Sequence, residues 1–479
     1  MRRIVKAAAA SGAVVVAAGT YTALDIYDVV PGYLTLAAAS QPAVPAPGQT
    51  NVGPRVRPPT APAAPTSPST AVAPIPGAAA LKARITAARA AGRLPAKVTM
   101  TFRDAATGAT LYEDGGRTVM TPASVTKLLS AWAISRAMPL EGTFTTKVVS
   151  VPDKETGAVP ELALVAGGDT CLNPKAGDPS AVCGRAGVGD LATQVAAGLK
   201  KQGRTTVKLG YDATYAAGPA TAPGWGADLL TAGYTTRIAM LGLSTQHAET
   251  GPAVPSPDAS TTAALATELK ARGITATTAG ATAVPAGSAV LASVQSAPLL
   301  DQLGFALQQS DNAMIESLAR QAAYRSGVTA NSEAAVTGWV RKQLSAAGHD
   351  VTGVKLADVS GLSDGTTLTV GLLGDLLAGA TTGKDPLFAD VITGLPVGGW
   401  SGTLAKRYTV PATSAAAGWV HAKTGSLPSV TALAGTVQDR DGRLIVFAII
   451  ANGAQPQGPY GARKAVDTVV TAVHDCGCS

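Results

Sequence analysis

Residues 121–135 read Thr121-Pro122-Ala123-Ser124-Val125-Thr126-Lys127-Leu128-Leu129-Ser130-Ala131-Trp132-Ala133-Ile134-Ser135, and this stretch decides the fold. Leu128, Leu129, Trp132 and Ile134 recur at the spacing of a mostly buried helix, which the pattern extends from Ser124 to Met138. Ser124 and Lys127 stand three apart, so a helix puts both on one face. A serine hydroxyl is a weak nucleophile and needs a base beside it. A lysine serves as that base once burial, the positive end of a helix or a second cation lowers its pKa.

Two further short motifs complete a set. Ser310-Asp311-Asn312 interrupts two helical patterns, Pro298 to Gln309 and Ala313 to Tyr324. Such a corner presents polar side chains rigidly. Ser310 is expected to relay a proton to a leaving amine, and Asn312 to bind a substrate amide and orient Lys127. Lys423-Thr424-Gly425 lies in Gly418 to Gly425, read as an edge strand. An edge strand accepts an extended peptide by main-chain hydrogen bonds. Lys423 is then the second cation, Thr424 a ligand for a terminal carboxylate, and Gly425 the point of close approach. The backbone amides of Ser124 and Ser426 are the expected oxyanion hole. Each motif alone is weak, since Ser-Asp-Asn also reads as a helix cap. The three together, in this order on helix, corner and strand, are specific.

On these motifs the chain resembles the class C, low-molecular-mass penicillin-binding proteins, serine peptidases of family S13, over roughly residues 80 to 475. The segments Leu164 to Asp169, Pro223-Gly224-Trp225, Asp358 to Ser363, Leu395-Pro396-Val397 and Gly402-Thr403-Leu404 carry the likeness further. So does the long interval between residues 124 and 310. The resemblance implies a D-Ala-D-Ala carboxypeptidase, with endopeptidase action in some members. It would cleave peptidoglycan stem peptides through an acyl-enzyme on Ser124 and be inhibited by β-lactams. It implies an α/β (α+β) penicillin-binding/β-lactamase-like domain, an antiparallel sheet flanked by helices. Asp169 matches an acidic position that can bind the amine of a diamino-acid side chain, and Leu427 a pocket-lining position after the Lys-Thr-Gly segment. Thr170 replaces the usual Pro, and Asp364 stands where an Arg is usual.

Working outward, Leu81 to Ala91 reads as a helix. Val98 to Arg103 and Thr110 to Glu113 read as strands joined through Thr107-Gly108. Val430 to Val437 and Arg443 to Ile450 form a hairpin through Asp441-Gly442, and Ala462 to Val473 a last helix. Strands from both chain ends therefore share a sheet. Residues 145–295 alternate short Val/Leu/Thr runs with Gly and Pro. They read as a mainly β inserted module with some helix near Thr261 to Arg272. The catalytic domain is thus 79–144 plus 296–479.

Arg2, Arg3 and Lys6 precede an uncharged stretch, Ala7 to Leu24, in the pattern of a signal peptide or membrane anchor over 1–40. Residues 41–78, rich in Pro and Ala, read as a linker. The folded part is expected outside the cytoplasm, secreted, wall-associated or anchored to the membrane's outer face. Cys171 and Cys183 flank a short Gly/Pro-rich loop and are expected as a disulfide, while Cys476 and Cys478 stay unassigned. No His or Cys stands at ligand spacing, so no metal or cofactor is expected. The 479 residues are 46% hydrophobic and 14% charged, with net charge +7. That excess is diffuse and lacks the basic, aromatic-studded stretch of a nucleic-acid binder.

Three rivals are weighed. Gly361-Leu362-Ser363-Asp364-Gly365 matches the nucleophile elbow of α/β-hydrolases, but the alternating βαβ pattern of that fold is missing. A β-lactamase needs a deacylating base, and no clear glutamate stands out. A non-catalytic wall-binding protein would not need all five polar motif residues.

Overall fold

A computed structural model describes residues 73–92, 94–152, 159–247, 253–453 and 458–478. The signal-like segment 1–40 and almost all of the 41–78 linker fall outside these residues. Among the described residues no helix is long and apolar enough to cross a membrane.

The first sheet has five antiparallel strands drawn from both ends of the chain. They are β1 (Lys97–Asp104), β2 (Thr110–Asp114), β8 (Val420–Leu427), β9 (Val430–Gln438) and β10 (Leu444–Asn452), in the order β2-β1-β10-β9-β8. Strand β10 is apolar from Leu444 to Ala451 because both its faces are covered. Ile445, Phe447 and Ile449 point into one core, with the N-terminal helix α1 (Ala78–Gly92) and the C-terminal helix Gly458–His474. Val446, Ala448 and Ile450 point into the other, with α2 (Lys127–Ala137) and Val370–Thr381. The period-2 alternation of a strand divides one apolar run between two layers.

The inserted residues build a second, mixed sheet in the order β6-β5-β4-β3-β7. Its strands are β3 (Thr145–Val151), β4 (Glu161–Val165), β5 (Thr206–Asp212), β6 (Thr275–Ala281) and β7 (Val290–Gln295). β3 and β7 are neighbours, with Thr145 opposite Gln295, so the chain enters and leaves the module side by side. The helix expected near Thr261 to Arg272 is Pro257–Ala271, and the module holds two more, Val188–Lys201 and Ala227–Thr231. Helix Val188–Lys201 went unread in the sequence, although Val188, Leu191, Ala192, Val195, Ala196 and Leu199, which it buries, stand at helical spacing. Cys171 and Cys183 are bridged in a loop after β4. Cys476 and Cys478, unassigned from sequence, are bridged as well.

Candidate active site

The stretch 121–135 departs from a single helix. Ala123–Thr126 is a 3-10 turn, and the α-helix begins at Lys127. A 3-10 turn has three residues per turn, so residues i and i+3 eclipse. Lys127 Nζ therefore donates to Ser124 Oγ at 3.1 Å. Ala123 takes a left-handed φ of 51° just before the hydroxyl, a sparsely populated conformation for a residue with a side chain. Ser124 is partly exposed, whereas Lys127 is fully buried.

Lys127 Nζ also donates to Asn312 Oδ1 (2.6 Å) and to the Ser360 carbonyl (3.0 Å). Burial lowers its pKa to about 8, against the pull of Asp358, Glu316 and Asp311. The expected second cation is not what lowers it. Lys423 Nζ, also buried, instead donates to Ser310 Oγ at 2.9 Å and to the Thr424 carbonyl at 2.9 Å. Ser310 takes the second strained turn of the site, φ 57°. Asn312 Nδ2 donates to the Tyr234 carbonyl of the inserted module at 2.9 Å. Ser124, Lys127, Ser310, Asn312 and Lys423 are thus joined in two hydrogen-bonded groups.

Gly425 seats β8 against the Ser124 turn. A methyl there would lie 2.6 Å from the Pro122 carbonyl and 3.2 Å from the Val125 amide. The outer edge of β8 is only partly open. Ala422 N–H donates to the Pro396 carbonyl (2.9 Å), and Val420's carbonyl accepts from Gly398 N–H (2.8 Å). Strand alternation then aims the Thr424 and Ser426 amides outward along the same edge. The Thr424 hydroxyl is shared with Thr403 at 2.9 Å. Leu427 packs with Ala123 and Val430.

Asp169 lies on the loop after β4, within electrostatic reach of His247. It is 3% exposed, its Oδ1 accepts from the Cys171 amide at 2.8 Å, and burial raises its pKa to about 6. The carboxylate that the resemblance offers to a substrate amine is thus enclosed and held by the backbone of the Cys171 loop. Ser363 is likewise buried, and its amide donates to Asp358 Oδ2 at 2.6 Å. This is a packed turn rather than an exposed nucleophile elbow.

Sequence reasoning missed the supporting groups. Asp358 accepts from the amides of Ser360 (3.1 Å), Gly361 (2.6 Å) and Ser363, and from the Trp225 indole (3.1 Å). Glu316 Oε1 accepts from the amides of Val359 (3.0 Å) and Ser360 (2.9 Å). Together they hold the loop whose carbonyl faces Lys127. The segments Pro223 to Trp225 and Asp358 to Ser363, each noticed in the sequence, meet here. Asp358→Ala would strand several buried donors. We expect it to lower unfolding free energy by about 3–4 kcal/mol, measured by chemical denaturation. An unchanged denaturation midpoint would refute this support role.

The model of the D-Ala-D-Ala carboxypeptidase 3 (S13) family matches residues 81–251 and 241–473. The chain is 36% identical over 392 residues to carboxypeptidase DacB of Mycolicibacterium smegmatis, covering 80% of this chain and 81% of that one. It is 33% identical over 448 residues to carboxypeptidase Rv3627c of Mycobacterium tuberculosis, covering 88% and 91%. Penicillin-binding protein 4 (dacB) of Haemophilus influenzae superposes with a TM-score of 0.65 at 20% identity, over 80% of this chain and 98% of that one. The last match is a likeness of fold.

Proposed function

The chain belongs to the D-Ala-D-Ala carboxypeptidase (S13) family and is a serine-type peptidase, and from that premise we propose that its acyl-enzyme forms on Ser124. The observation that carries this reading is the contact of Lys127 Nζ with Ser124 Oγ in a buried, carboxylate-flanked setting.

Neutral Lys127 takes the Ser124 proton as Oγ attacks the carbonyl of the penultimate D-Ala. The amides of Ser124 and Ser426 hold the oxyanion. As the C–N bond breaks, Ser310, oriented by Lys423, relays to the leaving D-Ala amine the proton that Lys127 took from Ser124, so that both side chains return to their starting states. The terminal carboxylate lies against Lys423 and Thr424, and the stem peptide runs along the open part of β8. Water then hydrolyses the ester. β-Lactams acylate the same hydroxyl. The substrate is a peptidoglycan stem peptide ending in D-Ala-D-Ala. A cross-link carries a comparable bond, which gives an endopeptidase activity the same chemistry. The site of action is extracytoplasmic, reached through export directed by residues 1–40, cleaved or retained as an anchor.

Intact-mass measurement after incubation with benzylpenicillin is the direct test. We expect one adduct of the drug's full mass, mapped to the peptide containing Ser124. No adduct, or one mapped to Ser363, would overturn the assignment.

A further inference from the structure

His247 lies in the inserted module, is buried, and has no part in the chemistry above. Its Nδ1 is 2.5 Å from Asp311 Oδ2, and its Nε2 is 3.0 Å from the Thr170 carbonyl and 3.1 Å from Cys171 Sγ. The Cys171 and Cys183 sulfurs are bridged, so they are not thiolates and do not make a metal site with the ring. A carboxylate and a carbonyl both accept, so hydrogen bonds on both nitrogens require two N–H donors, which only the imidazolium offers. Burial opposes that charge, but Asp311 and the Thr170 carbonyl outweigh it and raise the pKa.

Asp311 is the middle residue of the Ser310–Asn312 corner. Its Oδ1 caps the following helix by accepting from the Met314 amide at 2.9 Å, and its charge bears on Lys127. Other charged groups around His247 are Asp169, on the loop after β4, and Arg237, which lines the same small cavity as His247, Thr170 and Met314.

Resting on the catalytic reading of the corner, we propose that His247 is a positioning residue: an ionic strut from the inserted module that holds Ser310 and Asn312 in place and offsets the Asp311 charge facing Lys127. The module would then complete the active site as well as flank it.

Two variants of the whole chain test this. His247→Ala removes both bonds. His247→Asn keeps an N–H near the Nδ1 position without a charge. The readout is the second-order rate of acylation by a fluorescent penicillin, from about pH 6 to about pH 10. His247→Ala should acylate about ten- to hundredfold more slowly. His247→Asn should recover most of the plateau rate. Its rise with pH should move to higher pH, because the uncompensated Asp311 charge raises the Lys127 pKa. A purely structural role would leave that rise in place. An unmoved rise in His247→Asn, or wild-type acylation by His247→Ala, overturns the proposal. If His247→Ala does not fold, the His247→Asn profile decides. Failure of the wild type to acylate would instead sink the catalytic reading, and the strut with it.

Discussion

Ser124→Ala is expected to eliminate the covalent penicillin adduct and to slow D-Ala release from a D-Ala-D-Ala peptide by about 10⁴-fold or more. The reason lies in the site's construction. Lys127 reaches Ser124 Oγ at 3.1 Å, and no equivalent partner serves Ser363, whose hydroxyl is buried without a hydrogen bond. Removing one oxygen at residue 124 deletes the atom that becomes the ester. The oxyanion amides and the β8 edge remain, so substrate should still bind and the loss should fall on kcat. Circular dichroism should show an unchanged fold. Ser363→Ala is the control and should acylate normally. Labelling that persists in Ser124→Ala and vanishes in Ser363→Ala would reverse the assignment.

The second large effect concerns Lys127. Lys127→Arg keeps a cation that does not give up its proton at these pH values. Lys127→Met keeps much of the volume without a base. Both should lower acylation by about 10³- to 10⁴-fold. Wild-type acylation should rise through pH about 8, where Lys127 becomes neutral, and neither variant should show that rise. The same pKa has a stability consequence. The folded pKa is about 8 against 10.5 for the free side chain. Between these values the unfolded chain binds more protons, so wild-type stability gains from Lys127 as pH climbs through this window. Below about pH 8 the buried ammonium is a full liability, on the order of 3 kcal/mol. Lys127→Met should remove this pH dependence. A wild-type acylation rate flat across pH 7 to 9 would refute the lysine's role as base.

Much of the site was legible because its chemistry is local or ordered along the chain. Ser124 and Lys127 sit one turn apart, and Ser310-Asp311-Asn312 falls where two apolar helical patterns break. The Asp441-Gly442 turn fixes the β9–β10 hairpin, whose alternation runs into both cores. The less legible features depend on pairings across long intervals. Asp358 with Trp225, Glu316 with Ser360, and His247 with Asp311 have no spacing that marks them, for the first and last pairs meet only where the module packs on the catalytic domain and the middle pair only where a loop folds back on a helix within it. Asp169 shows the converse. The resemblance marks it as an acidic position, and only packing around the Cys171 loop shows that it is enclosed.

By itself, the sequence determined the three motifs, their order and the two-sided sheet that carries them, because hydrophobic period and turn chemistry act over a few residues. Only the tertiary structure decided that Ser124 sits on a 3-10 turn, that burial rather than Lys423 lowers the Lys127 pKa, and that the inserted module reaches the second motif through His247. Burial and charge pairing are properties of the whole packed chain, and desolvation has no value until the surrounding layers close.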